Sequence, residues 1–185
     1  METVENYIQV FDSVVPHSLC DMIVGEYEHS DDWIEAGTQF GVDKSARDVD
    51  FVQMSHQHVL SKSLELRSKI DGDLFQCATH SISKYLDLFP AVQVDSDSGY
   101  DLLRYKEGQF YVQHIDYFKK EPRVISCSFA LNDDYDGGEW AFFDKRVVKK
   151  IPKGSVILFP SNFMYPHQIL PVTKGVRYSI VTWFL

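Results

Sequence analysis

Hydrophobic positions in the first part of the chain recur at helical spacing. Pro16 suits a first helical turn, and Leu19, Ile23 and Tyr27 follow it four residues apart. This pattern predicts an amphipathic helix that begins near Pro16. The span from about residue 30 to residue 50 is polar and lacks a clear period, so an irregular connection is expected there.

Further helical spacing follows up to Pro90. A second helix is predicted from about residue 55 to residue 69, and the Asp-Gly-Asp tripeptide at 71–73 predicts a break. A third helix is then predicted to end before Pro90 and to carry one apolar face, made of Leu74, Ala78, Ile82, Tyr85, Leu86 and Phe89. All of these stripes are interpreted as core.

The pattern changes after residue 98 to short apolar runs separated by turn residues. Runs of this spacing predict an antiparallel sandwich or barrel, with the earlier helices packed outside it. The predicted strands lie within residues 100–106, 110–118, 123–131, 139–143, 155–159, 167–172 and 176–184. No linker divides the chain, so one domain over residues 1–185 is expected, with a helical support region at 1–97 and a β-rich core at 98–185.

Composition and charge narrow the class of protein. The chain is 44% hydrophobic, which is typical of a packed globular domain, and its 27 acidic and 18 basic residues give a net charge of −9. A field of that sign repels phosphate backbones and disfavours nucleic acid as a partner. No signal peptide or membrane span is predicted, and the scattered Cys20, Cys77 and Cys127 indicate reduced thiols in a cytoplasmic protein.

The stretch YVQHIDYF contains His114 and Asp116, which would project from the same face of a strand. An imidazole and a carboxylate side by side can be two ligands of a 2-His-1-carboxylate site, which suits non-haem Fe(II). His167 follows a predicted strand and is the best candidate for the third ligand. The remaining histidines lie in the helical half and are not expected to bind metal: His17, His29, His56, His58 and His80.

Arg177 lies ten residues beyond His167 at the start of the last predicted strand. Strand alternation places it on one face with Ser179, Val181 and Trp183. If this face points inward, the guanidinium needs a carboxylate partner, which a bound dicarboxylate could supply. The other interpretation is a surface arginine on an outward face.

The motif H-x-D followed by His167 and Arg177, together with its flanking sequence, resembles that of the Fe(II)- and 2-oxoglutarate-dependent dioxygenases. The segments RYKEGQFYVQHIDYF, SFALNDDYDGGEWAFF and PKGSVILFPSNFMYPHQILPVTKGVRYSIVTWFL resemble the prolyl 4-hydroxylase-like branch. The resemblance covers residues 99–185 and, more loosely, VVPHSLCDMIV near the N-terminus. It implies a mainly β fold: a double-stranded β-helix (jelly-roll) catalytic core over 98–185, flanked by N-terminal helices packed outside.

The resemblance also implies roles for single residues. His114, Asp116 and His167 would bind Fe(II) as the catalytic metal ligands. Among cofactor-binding residues, Arg177 would pair with the distal carboxylate of 2-oxoglutarate and Tyr105 would help to hold it. Tyr111 and Trp183 would lie on the substrate side, although core packing is an open alternative for each aromatic residue.

The sequence departs from the family at Ala130, where relatives often carry a tyrosine that contacts the cosubstrate. Ser126 or Ser128, on the same strand face, or a water molecule are the candidate replacements, and Ser126 is taken as the cofactor-binding one. The implied reaction hydroxylates a C–H bond with Fe(II), 2-oxoglutarate and O2, with L-ascorbate as an optional further cofactor. Succinate and CO2 are the coproducts.

The expected substrate is a prolyl residue of a peptide or protein. The alternatives are the same chemistry on a free amino acid or small metabolite, and a non-catalytic jelly-roll module that binds a metal or ligand. A zinc hydrolase would leave Arg177 unexplained, and repair of alkylated nucleic acid is disfavoured by the charge. Irregular segments at residues 30–55, 91–99 and 117–123 are candidates for a mobile lid.

Overall fold

The computed structural model describes residues 3–38, 41–55 and 63–185. Two sheets face each other, as the predicted jelly roll requires, and helices cover one of them. The described strands in chain order are β1 (Gln9–Phe11), β2 (Ile34–Glu35), β3 (Arg47–Asp48), β4 (Asp50–Gln53), β5 (Asp101–Tyr105), β6 (Phe110–His114), β7 (Ile125–Ala130), β8 (Asp136–Gly137), β9 (Trp140–Phe142), β10 (Val147–Lys149), β11 (Val156–Pro160), β12 (His167–Ile169), β13 (Val172–Lys174) and β14 (Arg177–Phe184).

The larger sheet has the strand order β1-β11-β7-β14-β5-β4-β2. Its central strands are buried on both faces, which explains their near-continuous apolar runs. In β14, Ile180 packs toward the helices, whereas Val181 packs toward the other sheet. The smaller sheet has the order β10-β9-β12-β6-β3, and a two-stranded ribbon joins β13 to β8.

Two α-helices in the described residues form the layer outside the larger sheet. Helix α1 (His17–Tyr27) begins after Pro16, as the spacing predicts, and buries Leu19 and Ile23. Helix α2 (Leu64–Leu88) has Ser63 as its N-cap, whose hydroxyl accepts a hydrogen bond from the Leu66 amide. A short 3₁₀ helix (Val4–Tyr7) precedes β1.

The predicted break at residues 71–73 is wrong, because α2 runs through it as one helix. Gly72 lowers helix propensity by about 1 kcal/mol relative to alanine. Ile70 and Leu74, one turn apart on either side of it, are buried against the core. Lys69 and Asp73 also form an i,i+4 ion pair across the glycine. Packing on the sheet thus outweighs the local preference. Part of the predicted second helix, residues 56–62, lies outside the described residues.

The N-terminal region contributes strands that its sequence pattern did not indicate. Strand β4 pairs with β5, and β1 pairs with β11 at one edge of the larger sheet. The span expected to be irregular, residues 30–50, contains β2 and β3. β2 and β3 are only two residues long and pair with β4 and β6, so no local period marks them. The run at 167–172 is divided, because β12 ends at Ile169 and β13 begins at Val172.

The three cysteines are free and buried, in agreement with the predicted reduced thiols. Among the residues that the structure describes, no helix is both long and apolar enough to cross a lipid bilayer.

Candidate functional site: a His-Asp-His cluster and a buried arginine

The histidines of the smaller sheet meet across two paired strands. His114 ends β6 and His167 begins β12, and the register of this antiparallel pair places them directly opposite each other. Asp116 follows β6 by two residues and turns its carboxylate between them. Oδ1 lies 3.5 Å from Nε2 of His114, and Oδ2 lies 3.6 Å from Nε2 of His167.

The potential donor atoms of these three side chains all lie within 4.8 Å of one another, which allows one ion to contact all three. It is the only such cluster of histidine, cysteine and acidic groups in the described ranges. His17 and His29 lie elsewhere, as does His80 on α2. His56 and His58 fall outside the described residues.

Backbone carbonyls orient both imidazoles. Nδ1 of His114 lies 2.8 Å from the carbonyl of Val112, and Nδ1 of His167 lies 3.0 Å from that of Tyr165. A carbonyl can only accept, so each Nδ1 carries the proton and each Nε2 keeps a free lone pair toward the cluster. In this tautomer each Nε2 can coordinate a metal ion placed between the two rings.

The carboxylate of Asp116 is held by hydroxyl groups. Ser126 donates to Oδ2 at 2.7 Å, and the Oγ atoms of Ser126 and Ser161 lie 2.8 Å apart. The proton of Ser126 points to the carboxylate, so Ser161 is the donor to Ser126. Ser126 was predicted to contact the cosubstrate; the structure places it in the cavity lining, with its hydroxyl donating to the Asp116 carboxylate. Ser161 was missed, because nothing in its sequence context marks a hydroxyl so far from Asp116.

Electrostatics keep this cluster in its metal-binding form. Burial raises the pKa of Asp116, but His167, His114 and the Ser126 hydroxyl together outweigh burial and hold that pKa well below its usual range. Burial lowers the pKa of His167 to about 4, against the opposing charge of Asp116. Near neutral pH the site therefore offers an ionised carboxylate and a neutral imidazole, the protonation states that metals bind.

Arg177 points into the same cavity, as the inward-face interpretation requires, and is 4% exposed. Its Nη1 donates to the Ser179 hydroxyl at 3.0 Å. Its guanidinium lies 5.1 Å from the ring centre of Tyr105, its direct cross-strand partner, and 5.8 Å from that of Trp140. Within the described part of the chain, no carboxylate lies within 4 Å of this cation, so its described contacts are aromatic faces and one hydroxyl, none of which carries a negative charge.

The other predicted residues also line this cavity. Tyr105 is buried, and burial raises the pKa of its hydroxyl. The ring of Tyr111 stacks on that of His114 at 3.5 Å, and Trp183 is half-buried on the same face as Arg177. Trp140 was missed, because its run was interpreted only as a strand after a glycine turn. The remaining walls are mainly apolar: Leu103, Phe159, Ile169 and Val181.

Residues 100–185 match the model of the 2OG-Fe(II) oxygenase superfamily, and this range contains the His-Asp-His cluster and Arg177. This likeness covers the β-rich half of the chain, which holds all of the site residues described above. The fold of the chain is that of prolyl hydroxylases. A solved structure of a prolyl hydroxylase from Trichoplax adhaerens, in complex with a hypoxia inducible factor oxygen degradation domain peptide fragment, has a similar fold. It superimposes with a TM-score of 0.80 at 18% identity, over 97% of this chain and 84% of that one. A Pseudomonas putida prolyl-4-hydroxylase gives 0.72 at 19% identity, over 96% and 92%.

A PKHD-type hydroxylase of Alteromonas mediterranea is 34% identical to this chain over 94 residues, 43% of the chain and 40% of the relative. The chain thus spans about two fifths of the length of the curated relatives it matches. The family implies Fe(II), 2-oxoglutarate and O2. The side chains present fit the first two, because two free Nε2 lone pairs and an ionised carboxylate face one point, and a buried cation without an acidic partner lies in the same cavity.

Proposed function

We propose that the protein is an Fe(II)- and 2-oxoglutarate-dependent dioxygenase that hydroxylates a prolyl residue of a peptide or protein. The observation that carries this proposal is the shared cavity of the His-Asp-His cluster and Arg177. A metal hydrolase needs no buried arginine beside its ligands, whereas a dianionic cosubstrate needs a cation at its far end.

In this proposal His114, Asp116 and His167 would hold the iron, which would then also bind the cosubstrate and O2. Bound Fe(II) would supply O2 activation, with one oxygen atom entering the substrate C–H bond and the other entering succinate as CO2 leaves. Arg177 binds the distal carboxylate, and the Ser179 hydroxyl is free to donate to the same group because it already accepts from Arg177.

The remaining residues orient the reactants and exclude water. Ser126 and Ser161 hold the carboxylate of Asp116 in one orientation through their hydrogen bonds. Trp140 and Phe159 pack around His167, with ring centres 5.5 and 4.7 Å from its own. This apolar wall keeps bulk water from the reacting atoms, which strengthens the charge contacts inside the cavity.

Three observations support a peptide or protein substrate. The apolar side chains beside Asp116 are exposed, with Ile115 at 39% and Tyr117 at 49%, and both line a cavity that also includes His114 and Asp116. An exposed apolar rim around an active site suits a partner that covers it. The Trichoplax protein of the same fold binds a peptide fragment. The curated relatives are hydroxylases. Trp183 and Tyr111 are proposed to face this substrate.

Several predictions belong to this proposal and await tests of their own. They are the use of L-ascorbate, the cytoplasmic location and the closure of residues 117–123 as a lid.

An anaerobic titration tests the core of the proposal. Fe(II) and then 2-oxoglutarate are added, and the weak visible charge-transfer band of the chelate is recorded. Wild type should give a saturable band, and His167→Ala should give none. His80→Ala, a matched change on the exposed face of α2, should behave as wild type. With oxygen, prolyl peptides that gain one oxygen atom together with succinate release would complete the test. Absence of a band in folded wild type would refute the function.

A further inference from the structure

A second cavity opens beside the cluster and shares His114 and Asp116 with the first. This groove has a volume of about 730 Å³. Its lining includes two cations, Arg47 and Arg123, and Arg47 also lines the inner cavity. A substrate that reaches the metal ligands through the groove must therefore pass both guanidinium groups.

Arg47 is fixed in place by the smaller sheet. It is the cross-strand partner of Tyr111 in the β3–β6 pair, and its guanidinium lies 4.9 Å from the centre of that ring. Nη1 donates to the Gly37 carbonyl at 2.8 Å. Nε is buried and has no hydrogen-bond partner among the described residues. No described carboxylate lies within 4 Å of this guanidinium, so the cation is positioned but not neutralised.

Arg123 is held by Trp183. Its guanidinium lies 3.5 Å from the ring centre of that tryptophan, and Nη1 lies 3.4 Å from the Asp116 carbonyl. Glu121 is its nearest acidic partner at 3.7 Å, and the 41% exposure of that side chain leaves a weak, solvent-screened pair. Nε of Arg123 is also buried without a hydrogen-bond partner in the described part of the chain.

The charges of the loaded site leave the groove short of negative charge. In the loaded site, Fe(II) and Arg177 are matched by Asp116 and the dianionic cosubstrate. Arg47 then remains without a counter-charge among the described residues, and Arg123 keeps only the exposed Glu121, in a chain whose net charge is −9. Two carboxylates line the groove: Asp116 belongs to the cluster, and Asp43 already accepts hydrogen bonds from the amide and hydroxyl of Ser45. An anionic group from outside would supply the missing charge.

We propose that Arg47 and Arg123 bind a carboxylate of the substrate, close to the carbon that is hydroxylated. The planar guanidinium fork matches a carboxylate in geometry as well as charge. The carboxylate comes either from an acidic residue next to proline or from the α-carboxylate of a C-terminal or free amino acid. This inference rests on the proposed function, because it places the substrate over the cluster.

Isothermal titration calorimetry under anaerobic conditions, on protein loaded with Fe(II) and 2-oxoglutarate, tests the inference. One probe pair is acetyl-Gly-Pro-Asp-amide and acetyl-Gly-Pro-Asn-amide, and the other is acetyl-Gly-Pro with a free or an amidated C-terminus. We expect the acid of at least one pair to bind about ten-fold more tightly than its neutral partner, with a preference that falls as salt rises. The pair that shows it identifies the source of the carboxylate.

Variants assign the preference to the arginines. Arg47→Met and Arg123→Met should each reduce it toward one-fold, and Arg123→Lys should keep part of it. Lys174→Met removes the same charge from an exposed position in β13, outside both cavities, and should retain the full preference.

Equal binding within both pairs, binding of no probe, or a preference retained in both methionine variants would overturn the inference. The charge-transfer band, recorded on the same samples, separates the two proposals. If wild type gives no charge-transfer band, the result counts against the dioxygenase function itself. A normal band without acid preference counts only against the arginine pair.

Discussion

Replacing Arg177 by methionine should weaken the binding of 2-oxoglutarate but should not lower the stability of the apo protein. The side chain is 4% exposed, and its described polar contact is one hydrogen bond to Ser179. Methionine keeps a similar length and fills the space against Tyr105 and Trp140 without a charge. Any loss of 2-oxoglutarate binding can therefore be separated from a loss of folding.

The magnitude follows from the burial and pairing of the guanidinium. Hydrogen bonds to charged groups contribute about 1.5–3 kcal/mol each, and Arg177 would offer a fork to the distal carboxylate. We expect Arg177→Met to weaken 2-oxoglutarate binding by about 3 kcal/mol, roughly a hundred-fold in Kd. The free energy of unfolding of the apo protein should stay within about 1 kcal/mol of wild type or rise, because a buried charge without an acidic partner is removed.

Two measurements on the same variant check this. The anaerobic visible titration gives the Kd for 2-oxoglutarate, and urea unfolding without cosubstrate gives the stability. Arg177→Lys keeps the charge but loses the fork, so its Kd should lie between those of wild type and Arg177→Met. Unchanged cosubstrate binding in Arg177→Met would refute the assignment. Equal losses in binding and in apo stability would mean that the arginine acts through the fold.

Three further substitutions have expected outcomes. Ser179→Ala should raise the Kd for 2-oxoglutarate about five-fold through the loss of one hydroxyl donor, measured by the same titration, and an unchanged Kd would leave Arg177 acting alone. Gly72→Ala should raise the free energy of unfolding, measured in urea, by about 1 kcal/mol, because alanine favours the helix and its Cβ would meet nothing within 4 Å on this exposed face. A decrease in that free energy would contradict a continuous helix at residue 72. Gly137→Ala should destabilise by roughly 2–4 kcal/mol in urea, because its Cβ would lie 2.3 Å from the Pro171 carbonyl oxygen at a φ of +73°. Gly108→Ala, with a φ of +87° and open space, isolates the backbone strain and should cost less; equal losses would refute the clash.

Much of the sequence-based prediction rested on the alternation of side chains along strands. Because side chains alternate along β14, the placement of Arg177, Ser179 and Val181 on one face followed from sequence, and these residues do line the cavity. The fold class is confirmed for the same reason, since each predicted run of the second half coincides with a strand. His114 and Asp116 lie close together because they are two residues apart at a strand end.

Interactions between distant segments set the limit of that prediction. The break expected at Gly72 reflected a local preference, whereas burial of Leu74 and its neighbours against the sheet decided the structure. Strands β1 and β4 have partners far along the chain, so their own residues carry no signal. Ser161 and Arg47 were likewise invisible, because their significance depends on contacts with residues more than thirty positions away.

The strands of the first half also determine whether residues 100–185, the segment that matches the family model, can be used without the rest of the chain. Residues 100–185 contain the cluster and Arg177, yet β5, β6 and β11 each take one neighbour from the first half of the chain. A fragment cut at residue 100 would expose three unpaired strand edges, which invite pairing between copies and aggregation. It would also lose the apolar cover of α1 and α2 from the larger sheet. Grafting this chemistry onto another scaffold would therefore require the N-terminal half to travel with it.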